Sequence, residues 1–520
     1  MLRRIIYSSV ALSLLVVLLR LLGFAEKKTL SFLFGAGDAM DVWFLALQIS
    51  LMASFFLKGV FHVALIPLLS SARNRGRENA AATGSAAFWL VAGTGAFVLV
   101  PGYLFTGEIV RFFAPGFSAS KQLLAVEMVQ SLLPVSVIVS TTYLFSLSLQ
   151  VQKRFEFAAS ADHMQKIVFI ACLFLFVIRN GFSFLVVAYW LSALVPLLVL
   201  SGYHWKRFGE WATLKVRIPA VWAILALAGP TILGNVVSQA GRAFQTRMAS
   251  GLPPGTVSGL MFAQVLVDLP LMLVPASLTA VLFVYFSDFA ERKELHLSRA
   301  YLVGSARILF VLFLPAAVFY VLESETIVAL LFGDGAFGES SIAVTSAALL
   351  ALGLGMPFFA LEMVLVTYFQ GHQRIVLAVG CGLAGVFAGA VGIWFLTPVF
   401  GIAGVALYLP IARAVKVATL IFFLRRLDFR VPYRSAILFC AKVAFCVLVA
   451  GGIVELVPLP AGSGFLLGAA SLGTRLLLAL LIYGALLNLL RVRETTVLIE
   501  GFKRLRAARR NKSSASRGQE

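Results

Sequence analysis

The side chains able to do chemistry in this chain stand singly inside long apolar stretches. Arg20 lies between Leu18-Leu19 and Leu21-Leu22, and Lys58 and His62 are one helical turn apart on one face. Asp268 and Glu362 are lone carboxylates in apolar runs, and Arg242 and Arg247 follow Asn235, Ser238 and Gln239 in a polar stretch. An ionised group in hydrocarbon costs about 2.5–3.5 kcal/mol, so each must lie near a span end, be paired, or face water. Cations so placed can hold an anionic ligand, which makes Arg20, Lys58, His62, Arg242 and Arg247 the candidate substrate-binding set. Asp268 and Glu362 can carry a coupling proton or sodium ion, or can serve as salt-bridge partners.

No catalytic group competes with that reading. The histidines, His62, His163, His204, His296 and His372, are scattered, and Cys172, Cys381, Cys440 and Cys446 lack metal-ligand spacing. No nucleophile has a base at useful distance in sequence, so an enzyme is not expected and no cofactor is implied.

The elements that position these residues follow from composition. Hydrophobic residues make up 60% of the 520 positions, charged ones 13%, and the mean hydropathy is +0.96. A soluble core could not hide so much apolar surface, so lipid is the solvent and the fold is all-α and polytopic. A net charge of +20 would suggest nucleic acid in a soluble protein. Here the cations sit in short loops, and anionic phospholipid is the expected partner.

Apolar windows predict about fourteen spans, near 5–24, 42–68, 84–105, 123–148, 165–178, 183–202, 218–240, 257–285, 301–321, 342–369, 375–396, 400–424, 435–454 and 469–490. The fifth and sixth could instead form a re-entrant pair. Lys and Arg alternate between successive loops, from Arg73, Arg75 and Arg77 to Arg425, Arg426, Arg430 and Arg434, whereas the opposite loops carry Glu323, Glu325, Asp334 and Glu455. That alternation requires an even number of spans with both termini cytoplasmic. Arg3 and Arg4 precede an apolar run with no small-residue cleavage site, so the first span is expected to be retained. The basic stretch from Val497 to Lys512 can begin as a surface helix on anionic lipid.

An internal repeat is expected. Pro134, Tyr143 and the exit Gln150-Val151-Gln152-Lys153-Arg154 of the fourth span are echoed six spans later by Pro357, Tyr368 and Gln370-Gly371-His372-Gln373-Arg374. Six intervening spans preserve direction, so the halves are parallel repeats whose interface is the default substrate site. The expected units are a six-helix lobe at 1–208, a pseudo-symmetric six-helix lobe at 209–430, an extra helix pair at 431–492 and a basic cytoplasmic tail at 493–520. Gly229 and Pro230 open the seventh span with a missing backbone donor, which suits a gate.

Arg20-Leu21-Leu22-Gly23-Phe24, Phe34-Gly35-Ala36-Gly37 with Asp41, Ala114-Pro115-Gly116-Phe117, and Gly229-Pro230-Thr231-Ile232-Leu233-Gly234 with Ser238-Gln239 carry a likeness over nearly the whole chain. In these the sequence resembles the MurJ/MviN family of lipid II flippases, within the multidrug/oligosaccharidyl-lipid/polysaccharide exporter superfamily. The resemblance implies fourteen helices in the bacterial inner membrane. It implies as substrate an undecaprenyl-diphosphate-linked glycan, moved from the cytoplasmic to the periplasmic leaflet by alternating access. Asp41 joins Asp268, Glu362, Gly229 and Pro230 as a candidate for coupling or gating, with H+, Na+ or the membrane potential as the energy source.

The chain departs from the family's pattern at Glu26, Ala53, Ser54, Lys58 and Val265, where the family's arginines or glutamate are replaced. Lys58, His62, Arg242 and Arg247 could restore the positive charge. Export of another polyprenyl-linked polysaccharide unit, or a non-transporting membrane scaffold, stand as alternatives.

Overall fold

A computed structural model describes residues 2–208, 218–425, 433–457 and 465–492. The basic stretch 493–520, with the expected surface helix, lies outside the described residues. Hydrocarbon leaves no partner for an open backbone donor, and the apolar runs answer by closing into helices. The first part of the chain forms α1 (Leu2–Phe34), α2 (Asp38–Asn74), α3 (Arg77–Leu104), α4 (Thr106–Phe113), α5 (Ala119–Leu132), α6 (Val135–Val151), α7 (Phe155–Cys172), α8 (Ile178–Asn180) and α9 (Phe184–Phe208), with a π-helical turn at Leu173–Val177. The second forms α10 (Ile218–Ser250), α11 (Thr256–Leu273), α12 (Pro275–Glu291), α13 (Leu295–Leu322), α14 (Ser324–Phe332), α15 (Glu339–Leu354), α16 (Met356–Gly371), α17 (Ile375–Ala406) and α18 (Tyr408–Leu424). A final pair, α19 (Tyr433–Glu455) and α20 (Phe465–Leu489), follows.

Among the described residues nine helical segments are long and apolar enough to cross a bilayer, or twelve if α10, α11–α12 and α15–α16 each count as one bent span. α1 and the 17-residue α18 occupy the places of the expected first and twelfth spans. The segments Phe157–Asn180 and Phe184–His204 each pass the length test separately, which favours two spans over a re-entrant pair. Hydropathy ends the first span near residue 24, yet α1 runs to Phe34. The charges that lower its hydropathy find partners: Glu26 binds Lys27 and Lys166, and Lys28 binds Asp334.

Helix packing falls into two groups. α2 packs on α3, α5 and α6, while α7 packs on α1, α6 and α9. In the second group α11 meets α15, α12 and α13 meet α16, and α17 and α18 pack together. α19 and α20 lie against α13 and α14. α10 belongs to both groups. Its two segments, Ile218–Gly229 and Thr231–Ser250, meet at 61°. Ile224 and Ala228 of the first segment are buried with Leu57, Val60 and Phe61 of α2, whereas Phe244 of the second stacks on Trp394 of α17.

The repeat appears as matching runs of elements, α3–α4–α5–α6–α7 and α13–α14–α15–α16–α17. Pro134 separates α5 from α6, and Gly355 with Pro357 marks the 47° bend between α15 and α16. The turn after α6 places Lys153 at φ 62°, and the turn after α16 places Gln373 at φ 56°. In each, the next N–H reaches back five residues, Arg154 to the Leu149 carbonyl and Arg374 to the Phe369 carbonyl. The echo read in sequence is therefore a shared helix-ending hydrogen-bond motif, which also closes α12 at Lys293 (φ 59°) and α20 at Arg491 (φ 52°).

Candidate functional site

A cavity of about 690 Å³ lies between the two helix groups. Its walls come mainly from α2, α10, α11, α16 and α18, with Thr279 of α12 and Leu352 of α15. Along the polar stretch of α10, Gln239, Arg242, Gln245 and Thr246 all reach it, and Gln48 of α2 accepts a hydrogen bond from the Thr246 hydroxyl at 2.7 Å. Apolar side chains such as Phe44, Leu51 and Phe359 fill the spaces between the polar ones. Such a lining can hold a polar or charged headgroup where hydrocarbon would reject it.

The cavity's charges come from four helices. The Arg242 Nε donates to Gln239 Oε1 at 2.9 Å, and the side chain is exposed to the chamber. Glu362 of α16, 8% exposed, accepts from Arg413 Nη1 at 2.5 and 2.6 Å and from Lys416 Nζ at 2.6 Å. Arg413 lines the cavity from α18. Asp268 lines the α11 wall, with Arg20 and Arg413 acting on it as neighbouring positive charges. Arg20 Nε is itself buried with no hydrogen-bond partner among the described residues.

One end of the cavity is sealed by contacts between the two groups, at the cation-poor loops. Asp41, 2% exposed at the start of α2, accepts from the N–H groups of Gly255 and Ser258 at 2.8 Å each, from the Ser258 hydroxyl at 2.8 Å and from Lys121 Nζ at 2.9 Å. A carboxylate thus caps the first turn of α11, where open donors and the helix dipole favour negative charge. The same end holds the 2.7 Å pair of Lys28 with Asp334 and the Ala336 N–H on the Phe32 carbonyl at 2.8 Å.

The glycines of the two loop motifs explain themselves here. Gly35 has φ +66°, and a Cβ there would stand 2.4 Å from the Ala336 carbonyl oxygen. A Cβ on Gly116 would lie 2.4–2.6 Å from the backbone of Ser250 and Gly251. Backbone meets backbone across the seal, and no side chain fits.

The structure divides the residues singled out in sequence. Arg242, Asp268 and Glu362 are brought together on the cavity, and Asp41 lies at its seal. Gly229 sits at the α10 bend beside position 230. Lys58 and His62 line no part of the cavity; both converge on Tyr143 of α6, with Lys58 Nζ 5.4 Å from its ring and the His62 Nδ1 3.4 Å from its hydroxyl. Lys58 also borders a separate void of about 20 Å³ with Asp162 and Gln165. Arg247 points elsewhere too, donating to the Phe112 carbonyl at 2.6 Å with its guanidinium 5.5 Å from that ring.

Arg413, Lys416, Lys121 and Gln48 went unrecognised. Arg413 stands 13 residues into the expected 400–424 span, so the depth argument applied to Asp268 finds it as well.

Comparison with known proteins places this geometry. The family model described as lipid II flippase MurJ matches residues 30–463. A probable lipid II flippase MurJ of Rhizobium tropici is 26% identical over 520 residues, covering 96% of this chain and 97% of its own. The lipid II flippase MurJ of Burkholderia cenocepacia is 24% identical over 460 residues, covering 84% and 87%. A solved lipid II flippase MurJ in an inward closed conformation shares the fold with TM-score 0.77 and 18% identity, over 92% of this chain and 98% of that one. An inward-facing multidrug resistance MATE family transporter of the MOP superfamily follows at TM-score 0.67 and 17% identity, over 79% and 94%.

Proposed function

We propose, for a chain that belongs to the MurJ lipid II flippase family, that it moves lipid II or a close relative between membrane leaflets by alternating access. The observation that carries this reading is the cavity with Arg242 on its wall and a hydrogen-bonded seal at one end of the α2–α11 interface. A headgroup bearing two phosphates needs cations and water inside the membrane, while its polyprenyl tail stays in the bilayer. The sealed end coincides with the cation-poor loops. With the cation-rich loops in the cytoplasm, beside anionic phospholipid, the seal is periplasmic and the chamber waits for a ligand from the cytoplasmic leaflet. In this scheme Asp41 gates, Asp268 is the carboxylate free to couple an ion, and the α10 bend at Gly229-Pro230 absorbs the motion.

The glycan is open to a second reading. Glu26 stands where the resemblance implies an arginine, and it is neutralised by Lys27 and Lys166 instead of serving an anion. That change favours a different polyprenyl-linked sugar as cargo. The test is complementation of a strain depleted of its lipid II flippase, together with a leaflet-accessibility assay for lipid II. Rescue by wild type and failure of Arg242→Ala support lipid II; absence of rescue, with the protein folded in the membrane, moves the assignment to another lipid-linked glycan.

A further inference from the structure

Glu362 is over-neutralised. It holds both Arg413 and Lys416, so the cluster keeps a net positive charge inside the membrane-spanning part of the fold. The two cations are not equivalent. Lys416 is 18% exposed, whereas Arg413 is 40% exposed and opens on the cavity. The contact is also incomplete. A guanidinium on a carboxylate ordinarily uses two nitrogens against two oxygens. Here Nη1 alone bonds both oxygens of Glu362, leaving Nη2 and Nε uncommitted among the described residues.

Arg242 is arranged in a complementary way. Gln239 holds its Nε, and neither terminal nitrogen has a hydrogen-bond partner among the described residues. The Arg242 and Arg413 side chains both line the chamber, one from α10 and the other from α18. Against Glu362 and Asp268, the cations Arg242, Arg413 and Lys416 leave an excess of one positive charge at the chamber, which an entering anion offsets.

We propose that Arg242 and Arg413 form a two-guanidinium seat for the diphosphate of a polyprenyl carrier, and that Glu362 is the counter-ion Arg413 leaves when the anion enters. Lys416 stays on Glu362 and keeps that carboxylate neutralised, so the exchange strands no charge. Two forks match two phosphates, so the seat selects a diphosphate over a monophosphate. Glu362 competes for Arg413, which keeps the bound anion releasable. The inference rests on the transport reading above and adds to it the residues that replace the family's missing arginines.

The test uses the full chain purified in detergent, with farnesyl diphosphate and farnesyl monophosphate as probes in a direct binding titration. Wild type is expected to prefer the diphosphate by tenfold or more. Arg413→Ala should weaken diphosphate binding by at least tenfold and bring the preference near unity. Arg413→Lys, which keeps the charge and loses the fork, should retain monophosphate binding while losing the preference. Glu362→Gln should tighten the diphosphate severalfold, with thermal unfolding confirming a folded protein. Arg413→Ala within twofold of wild type, or a Glu362→Gln affinity unchanged or lowered, overturns the proposal and leaves the transport reading standing. Failure of folded wild type to bind the diphosphate overturns both.

Discussion

Replacing Asp41 by Asn tests whether the seal depends on a carboxylate. Asp41 accepts four hydrogen bonds, two from backbone N–H groups in the first turn of α11, one from the Ser258 hydroxyl and one from Lys121. An amide keeps one accepting oxygen and turns an NH2 toward donors the second oxygen now satisfies. Hydrogen bonds to charged groups contribute about 1.5–3 kcal/mol each, and a carboxylate at a helix N-terminus adds about 0.3–1. Lys121 retains Asp38 at 2.7 Å, so its own loss is partial. The sealed arrangement should therefore lose roughly 2–4 kcal/mol, a shift of about 30- to 700-fold toward opening at 1.4 kcal/mol per tenfold. Ala249, 1% exposed near the end of α10, offers a reporter. With Cys172, Cys381, Cys440 and Cys446 replaced, Ala249→Cys can be modified by a membrane-impermeant maleimide added from the sealed side. When modification is slower than closing, its rate tracks the open fraction and should rise by that factor in Asp41→Asn. A rate within about threefold of the parent would refute the argument.

Three further outcomes are expected. Gly116→Ala pushes a Cβ onto the backbone of Ser250 and Gly251, an overpacking cost of about 1–3 kcal/mol that should also speed Ala249→Cys labelling. Glu26→Gln leaves Lys27 and Lys166 without their acid. Because Lys166 is 31% exposed, the loss should be only about 1–3 kcal/mol by thermal unfolding in detergent, and Lys166→Met added to Glu26→Gln should restore part of it. Burial holds the pKa of His372 below its ordinary 6.5, against a weaker opposing pull from the Tyr368 carbonyl. The unfolded chain binds the proton more readily, so stability should be full above pH 6.5 and fall below it, a slope that His372→Gln removes.

The large features were legible because lipid makes them obligatory. Long apolar runs had to be helices; that the fourth and tenth of them break near Pro134 and Pro357 was not legible, since Pro67 and Pro196 lie inside unbroken helices. The polar stretch of α10 had to face something other than acyl chains, and Gln239, Arg242 and Gln245 do line the cavity. Arg247 misled because five residues along a helix is about 140° around it, enough to turn from the chamber to Phe112. Lys58 and His62 share a face, as their spacing requires, but which neighbour that face meets depends on how α2 packs against α6. Asp41 was noticed through a motif. Its partners Gly255 and Ser258 lie more than 200 positions away, beyond the reach of any local pattern.

The divided loyalty of α10 has a mechanical consequence. Its leading segment is embedded with Leu57 and Phe61, and its trailing segment leans on Trp394. If the halves of the molecule rock apart at the Asp41 end, neither segment can follow both bodies, and the strain falls on the elbow after Gly229. That helix then behaves as a crank, turning a rotation between lobes into an angle change beside Arg242. On the transport reading, a substitution that straightens the elbow is expected to stall the stroke even with every charge in the chamber intact.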